Sequence, residues 1–138
     1  MHFSSGVDTK EFEYVTSQII KHVERSVDAF KMFAQLFSVI VGGAIWLSLQ
    51  SPAHPEITKT YANLSNILVT LVTIIGSVMI FENYRCWWRF RTAQSMLVPH
   101  VPPPKWPAVT TGGVMILCMA VGCVLFWQFN PFIVLVTK

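Results

Sequence analysis

Histidine and cysteine are the side chains of this chain best suited to metal binding or redox chemistry, and their spacing favours neither. Cys118 and Cys123 stand five residues apart in an apolar run, so a helix would separate them by about 140°. The histidines stand apart from one another, without acidic or thiol ligands at a set spacing. No metal site and no cofactor are therefore predicted. The full set is His2, His22, His54, His100, Cys86, Cys118 and Cys123.

Catalytic residues are not recognisable either. We find no Ser/His/Asp or Cys/His arrangement and no paired acids that a cleft could hold. The glycine pairs Gly42–Gly43 and Gly112–Gly113 lie inside apolar runs, where they do not form a phosphate-binding loop. An enzyme acting alone is therefore not expected.

The most regular polar pattern lies within an apolar run. Asn66, Thr70, Thr73 and Ser77 follow one another at helical steps of four, three and four, which places them on one face. In lipid such a stripe turns toward protein or water, because its hydrogen-bonding groups have no solvent partner there. It is either a helix-packing seam or the lining of a small pore in an oligomer. Hydrogen bonds to the helix's own carbonyls would weaken both interpretations.

A second face consists of small residues. Ala34, Ser38 and Gly42 recur every four residues, a pattern that lets membrane helices approach closely.

The elements that carry these faces are predicted to cross a membrane. Hydrophobic residues make up 53% of the 138 residues and charged residues 12%, whereas soluble domains are about 25% charged. Three apolar runs are each about as long as the ~20 residues that span a bilayer. The sequence therefore predicts an all-α fold: a polytopic membrane protein with three transmembrane helices and an N-terminal amphipathic helix.

The N-terminal segment is expected to be that amphipathic helix, with Asp8 as its N-cap and Glu11 completing a capping box. The helix could continue into the first span, bend at 28–31 and lie on the bilayer surface, or pack on a partner helix. Its apolar face comprises Phe12, Val15, Ile19, Val23, Val27 and Phe30.

Aromatic and basic residues cluster after the second apolar run. This cluster predicts an interfacial anchor for lipid headgroups, formed by Arg85, Trp87, Trp88 and Arg89. Five prolines in residues 98–107 then predict an extended connector.

Basic residues near the spans predict the orientation. Eight lie before the first span or between the second and third, and two lie on the other side, so the N-terminus is expected to be cytoplasmic and the C-terminus outside. A bacterial inner membrane fits best. The first group is Lys10, Lys21, Arg25, Lys31, Arg85, Arg89, Arg91 and Lys105, and the second is Lys59 and Lys138.

The predicted organisation has seven parts. They are a cytoplasmic amphipathic helix (1–29), transmembrane helix 1 (30–50), an external loop (51–60), transmembrane helix 2 (61–83), a cytoplasmic Arg/Trp and Pro-rich connector (84–107), transmembrane helix 3 (108–130) and an external tail (131–138).

These patterns favour a structural or accessory small subunit of a membrane protein complex that assembles through small-residue helix faces. The alternatives are a homo-oligomeric pore lined by the polar stripe, and a cytoplasmic face that recruits a partner. The expected partners are membrane lipids and other membrane subunits or copies of the chain. Nucleic acid is not expected, because a net charge of +3 is mild and unevenly spread.

Overall fold

The computed structural model describes residues 9–50, 55–98, 100–104 and 110–132. These residues form three helices: α1 (Thr9–Gln50), α2 (Pro55–Leu97) and α3 (Thr110–Gln128). Of the described residues, 93% are helical and none is in a strand, which confirms the all-α prediction. Each helix contains a stretch long and apolar enough to cross a membrane.

The first helix runs without interruption from the polar N-terminal segment into the first apolar stretch. Its 42 residues extend about 63 Å, twice the ~30 Å hydrocarbon thickness of a bilayer. No glycine or proline occurs before Gly42, so nothing breaks the ladder of backbone hydrogen bonds. Of the alternatives left open by the sequence, the structure shows the first: α1 continues without a break into the first apolar stretch.

The second helix is longer than the apolar run it contains. It begins at Pro55, because proline suits the first turn of a helix, where its missing N–H is not needed. It ends at Leu97, just before Val98 and Pro99, since a residue preceding proline disfavours the helical region. Residues 55–60 and 84–97, which the sequence suggested as loop and connector, are thus helical.

The three helices pack through two apolar clusters. In one cluster, Ile80 of α2 and Met119 of α3 are fully buried beside Ala29 and Phe33 of α1. In the other, the fully buried Val69 of α2 packs with Ala44, Ala62, Phe126 and Phe132. Antiparallel α1 and α2 share the largest contact, and α3 packs mainly on α2.

The outer surface of the apolar stretches is itself apolar. Val39 is 71% exposed, Leu117 62% and Val124 55%, one from α1 and two from α3. Soluble monomers rarely expose extended apolar patches, because contact with water is unfavourable. Such a surface suits hydrocarbon.

Some sequence predictions lie outside the described residues. They concern the Asp8 N-cap, residues 51–54, Pro99 and residues 105–107 of the connector (which include Lys105), residues 108–109 of the predicted third span, and residues 133–138 (which include Lys138). At the near end of that connector, a turn closes where the Val101 N–H donates to the Val98 carbonyl at 3.0 Å.

Candidate functional site

The N-terminal half of α1 packs against the C-terminal half of α2, forming a hairpin that continues beyond the apolar stretches. The Gln94 amide donates to the Thr16 hydroxyl across this interface at 3.0 Å. Ser26 is buried and donates to the His22 carbonyl one turn earlier on α1. The predicted apolar face of α1 mostly turns toward α2: Val15 is buried, Phe12, Ile19, Val27 and Phe30 are half-buried, and Val23 is exposed.

His22 is part of this helix interface. Its ring stacks on Phe90 with centroids 5.6 Å apart, and its Nδ1 lies 3.1 Å from Oδ1 of Asn83. Within the described ranges, no cluster of three or more His, Cys, Asp or Glu side chains could hold a metal ion. The contacts of His22 are therefore those of a packed interhelical residue.

Basic side chains gather at one end of this hairpin. Because α1 and α2 are antiparallel, the start of α1 lies beside the end of α2. Seven of the eight basic residues in the described part of the chain belong to this end, and Lys59 belongs to the other. The seven are Lys10, Lys21, Arg25, Lys31, Arg85, Arg89 and Arg91.

The polar stripe of α2 is directed toward α3. Asn66 and Thr73 are buried, while Thr70 and Ser77 are half-buried. The Thr70 hydroxyl donates to the Asn66 carbonyl at 2.8 Å and accepts a hydrogen bond from Nε1 of Trp127 at 3.1 Å. The Thr73 hydroxyl donates to its own helix, to the Val69 carbonyl at 2.8 Å. The stripe thus combines bonds within α2 and bonds to α3.

Asn130 is the centre of a buried polar cluster that sequence reasoning did not identify. Its side chain is 0% exposed. Its Nδ2 lies 2.8 Å from Oδ1 of Asn66, 3.1 Å from Oγ of Ser65 and 3.2 Å from the Ala62 carbonyl, so two N–H groups share three acceptors. Its Oδ1 accepts the backbone N–H of Phe132 at 3.1 Å. One amide therefore joins the end of α3 to α2.

The local sequence explains this geometry in retrospect. α3 ends at Gln128, and the chain returns to helix at Pro131 and Phe132. Asparagine is a favoured N-cap and proline a favoured first helical residue, so Asn130 both breaks one helix and caps the next turn. An Asn-Pro pair is typical of a helix end or a kink, because proline cannot continue the backbone hydrogen-bond ladder. Gln128, a second amide two residues earlier in the same apolar run, is exposed, so residue type alone gave no signal that Asn130 is buried.

The small-residue face of α1 points away from the other helices. Ala34, Ser38 and Gly42 are all exposed. The Ser38 hydroxyl donates to the Ala34 carbonyl of the same helix at 2.8 Å. A Cβ added at Gly42 would meet no atom of the described residues within 4 Å. This face is therefore open to contact with another molecule.

Three of the four residues predicted for the headgroup anchor line a groove on α2. Arg85, Trp88 and Arg89 line it together with Phe81 and Tyr84, and its volume is about 320 Å³. Trp87, the fourth residue predicted for the anchor, does not line the groove. Its ring instead lies with its centroid 6.2 Å from that of Tyr84.

No protein-family model, curated protein or solved structure matches this chain.

Proposed function

We propose that the chain is a structural or accessory small subunit of a membrane protein complex, without catalytic activity of its own. Its task would be to pack against other subunits, or against copies of itself, within the bilayer. The three apolar helices supply the membrane anchor for that role.

One observation carries the proposal: the Ala34/Ser38/Gly42 face remains exposed after α1 has packed on α2 and α3. Moving a bulky apolar side chain from lipid into a helix contact gains little free energy, because hydrocarbon tails are as apolar as the side chain. A small-residue face instead lets a second helix approach closely, which increases van der Waals contact between backbones. The open space at Gly42 provides room for such an approach.

A pore lined by the α2 stripe is the weaker candidate. Asn66 accepts a hydrogen bond from Asn130, and Thr70 accepts one from Trp127, both across the α2–α3 contact. Turning these side chains toward a central channel would require α3 to move away and its donors to find other acceptors. In membrane interiors, unpaired polar groups are costly, so this rearrangement is disfavoured.

We also propose that the basic end of the hairpin is cytoplasmic and that the membrane is a bacterial inner membrane. The eight-to-two distribution of basic residues supports this orientation. Reporters fused at Ser51 and at Lys138 should then be external. A cytoplasmic signal from either position would contradict the orientation.

Assembly is tested by enlarging the small face. Gly42→Leu fills the space that a partner helix would occupy, so the wild-type chain should purify in mild detergent as an oligomer or with other subunits, whereas this variant should purify as a monomer. Light scattering coupled to size exclusion measures the mass, and mass spectrometry identifies copurifying chains.

Gly113→Leu is the matched control. Gly113 lies on α3, is exposed, and likewise has no atom of the described residues within 4 Å of an added Cβ. This variant should assemble like the wild type. A wild-type chain that is monomeric and alone, or equal loss of assembly in both variants, would refute the proposed interface.

A further inference from the structure

We propose that the groove on α2, at the end of its apolar stretch, binds one anionic phospholipid through its phosphate group. Phe81, Tyr84, Arg85, Trp88 and Arg89 line this space of about 320 Å³. These positions recur at helical steps of three, one, three and one, so they share one face of α2. The groove therefore combines two cations with three aromatic rings.

The two arginines supply the charge. They lie one turn apart, about 6 Å along the helix axis, so a phosphate between them could accept hydrogen bonds from both guanidinium groups. Arg85 is 3.9 Å from the Glu82 carboxylate, and both side chains are 57% exposed. Such an exposed ion pair is weak and can be replaced by a better acceptor. Arg89 belongs to neither of the two ion pairs found among the described residues.

The aromatic residues favour a lipid over free phosphate. Phe81 is the last residue of the apolar run that starts at Tyr61, and its side chain is 60% exposed. A phosphate held at Arg85 and Arg89 would therefore place its acyl chains beside Phe81 and the apolar stretch. Trp88, at the opposite end of the groove, suits the headgroup region, where tryptophan is enriched. Inorganic phosphate would use the arginines alone.

Tyr84 gives the groove a fixed wall. A Cβ added at Gly112 of α3 would overlap the Tyr84 ring, so the ring lies directly against the α3 backbone. This contact ties the wall of the groove to a second helix. A preformed wall lowers the entropic cost of ordering side chains when a ligand binds.

The test uses the full-length protein in mild detergent micelles containing equal amounts of phosphatidylglycerol and phosphatidylcholine. Native mass spectrometry then counts the lipids retained by each molecule. The wild type should retain one phosphatidylglycerol in strong preference to phosphatidylcholine. Equal retention of the two lipids by the wild type would overturn the proposal without any variant.

Arg85→Gln/Arg89→Gln should lower phosphatidylglycerol retention about thirtyfold, because each basic residue contributes about fivefold to the affinity for anionic lipid. The matched control, Arg25→Gln/Lys31→Gln, removes two charges from α1 at the same end of the hairpin and should change retention less than about twofold. Equal loss in both double variants would indicate general surface charge and refute a site.

Excess inorganic phosphate distinguishes the two possible sources of the ligand. It should not displace the lipid, because it lacks acyl chains. Displacement at equal ionic strength would identify free phosphate as the better ligand and overturn the lipid proposal.

This inference requires insertion in a bilayer but does not depend on assembly through the small face. A chain that retains phosphatidylglycerol yet remains monomeric would refute the proposed subunit role alone. A chain that assembles but shows no lipid preference would refute the groove alone.

Discussion

Two faces of the molecule look alike in sequence but differ in the fold. The α2 stripe of Asn66, Thr70, Thr73 and Ser77 and the α1 face of Ala34, Ser38 and Gly42 both consist of small or polar residues at helical spacing. The stripe lies against α3, with Asn66 and Thr73 buried, whereas the α1 face is exposed throughout.

The difference shows that helical spacing defines a face without specifying what covers it. Hydroxyl groups on both faces donate to carbonyls of their own helix, Ser38 to Ala34 and Thr70 to Asn66. Among the described residues, only the stripe also receives donors from outside its own helix, the side chains of Trp127 in α3 and of Asn130 just after it. Interhelical donors therefore distinguish a face used within the fold from one left open to a partner.

The largest effect on stability is expected from removing the Asn130 amide, which joins the end of α3 to the α2 stripe. Asn130→Ala leaves the Asn66 Oδ1 and the Phe132 N–H without this partner in a buried site. The free energy of unfolding should fall by about 3 kcal/mol, the upper end of the cost of buried unsatisfied polar groups. Thermal or denaturant unfolding in mild detergent measures the change.

Asn63→Ala is the control for this variant. Asn63 lies near the same end of α2 but is exposed, so its loss should change the free energy of unfolding by no more than about 0.5 kcal/mol. If both variants unfold at the same denaturant concentration, the Asn130 cluster does not secure α3 to α2.

A smaller effect on stability is expected from enlarging Gly76, beside the α2 stripe, and it is compared with the same change at Gly42 on the α1 face. A Cβ at Gly76, beside the stripe, would overlap the buried Met119 side chain and lie 3.6 Å from Cβ of Phe33. Gly76→Val should therefore lower the free energy of unfolding by about 2 kcal/mol through overpacking. Unfolding in detergent again provides the measurement.

Gly42→Val makes the same chemical change on the exposed face. It should leave the stability of the isolated chain nearly unchanged but weaken assembly, as measured by light scattering. The comparison would fail if Gly42→Val destabilised the isolated chain as much as Gly76→Val does.

Part of the candidate site was predictable because it depends on local periodicity. Spacing identified both faces and the Arg85–Arg89 cluster, since residues three or four apart always share a helix face. It did not identify the partners of these residues: Asn83 with His22 and Thr16 with Gln94 are 61 and 78 residues apart in the chain. Contacts over such distances depend on the register between helices.

The sequence by itself determined that the chain is helical and has three stretches able to cross a membrane, because backbone groups in oil must bond within their own segment. Only the tertiary structure decided that α1 is one continuous helix, that Asn130 is buried against α2, and that the small face of α1 stays uncovered. Those outcomes depend on how side chains from distant segments fit together, and no local pattern encodes that fit.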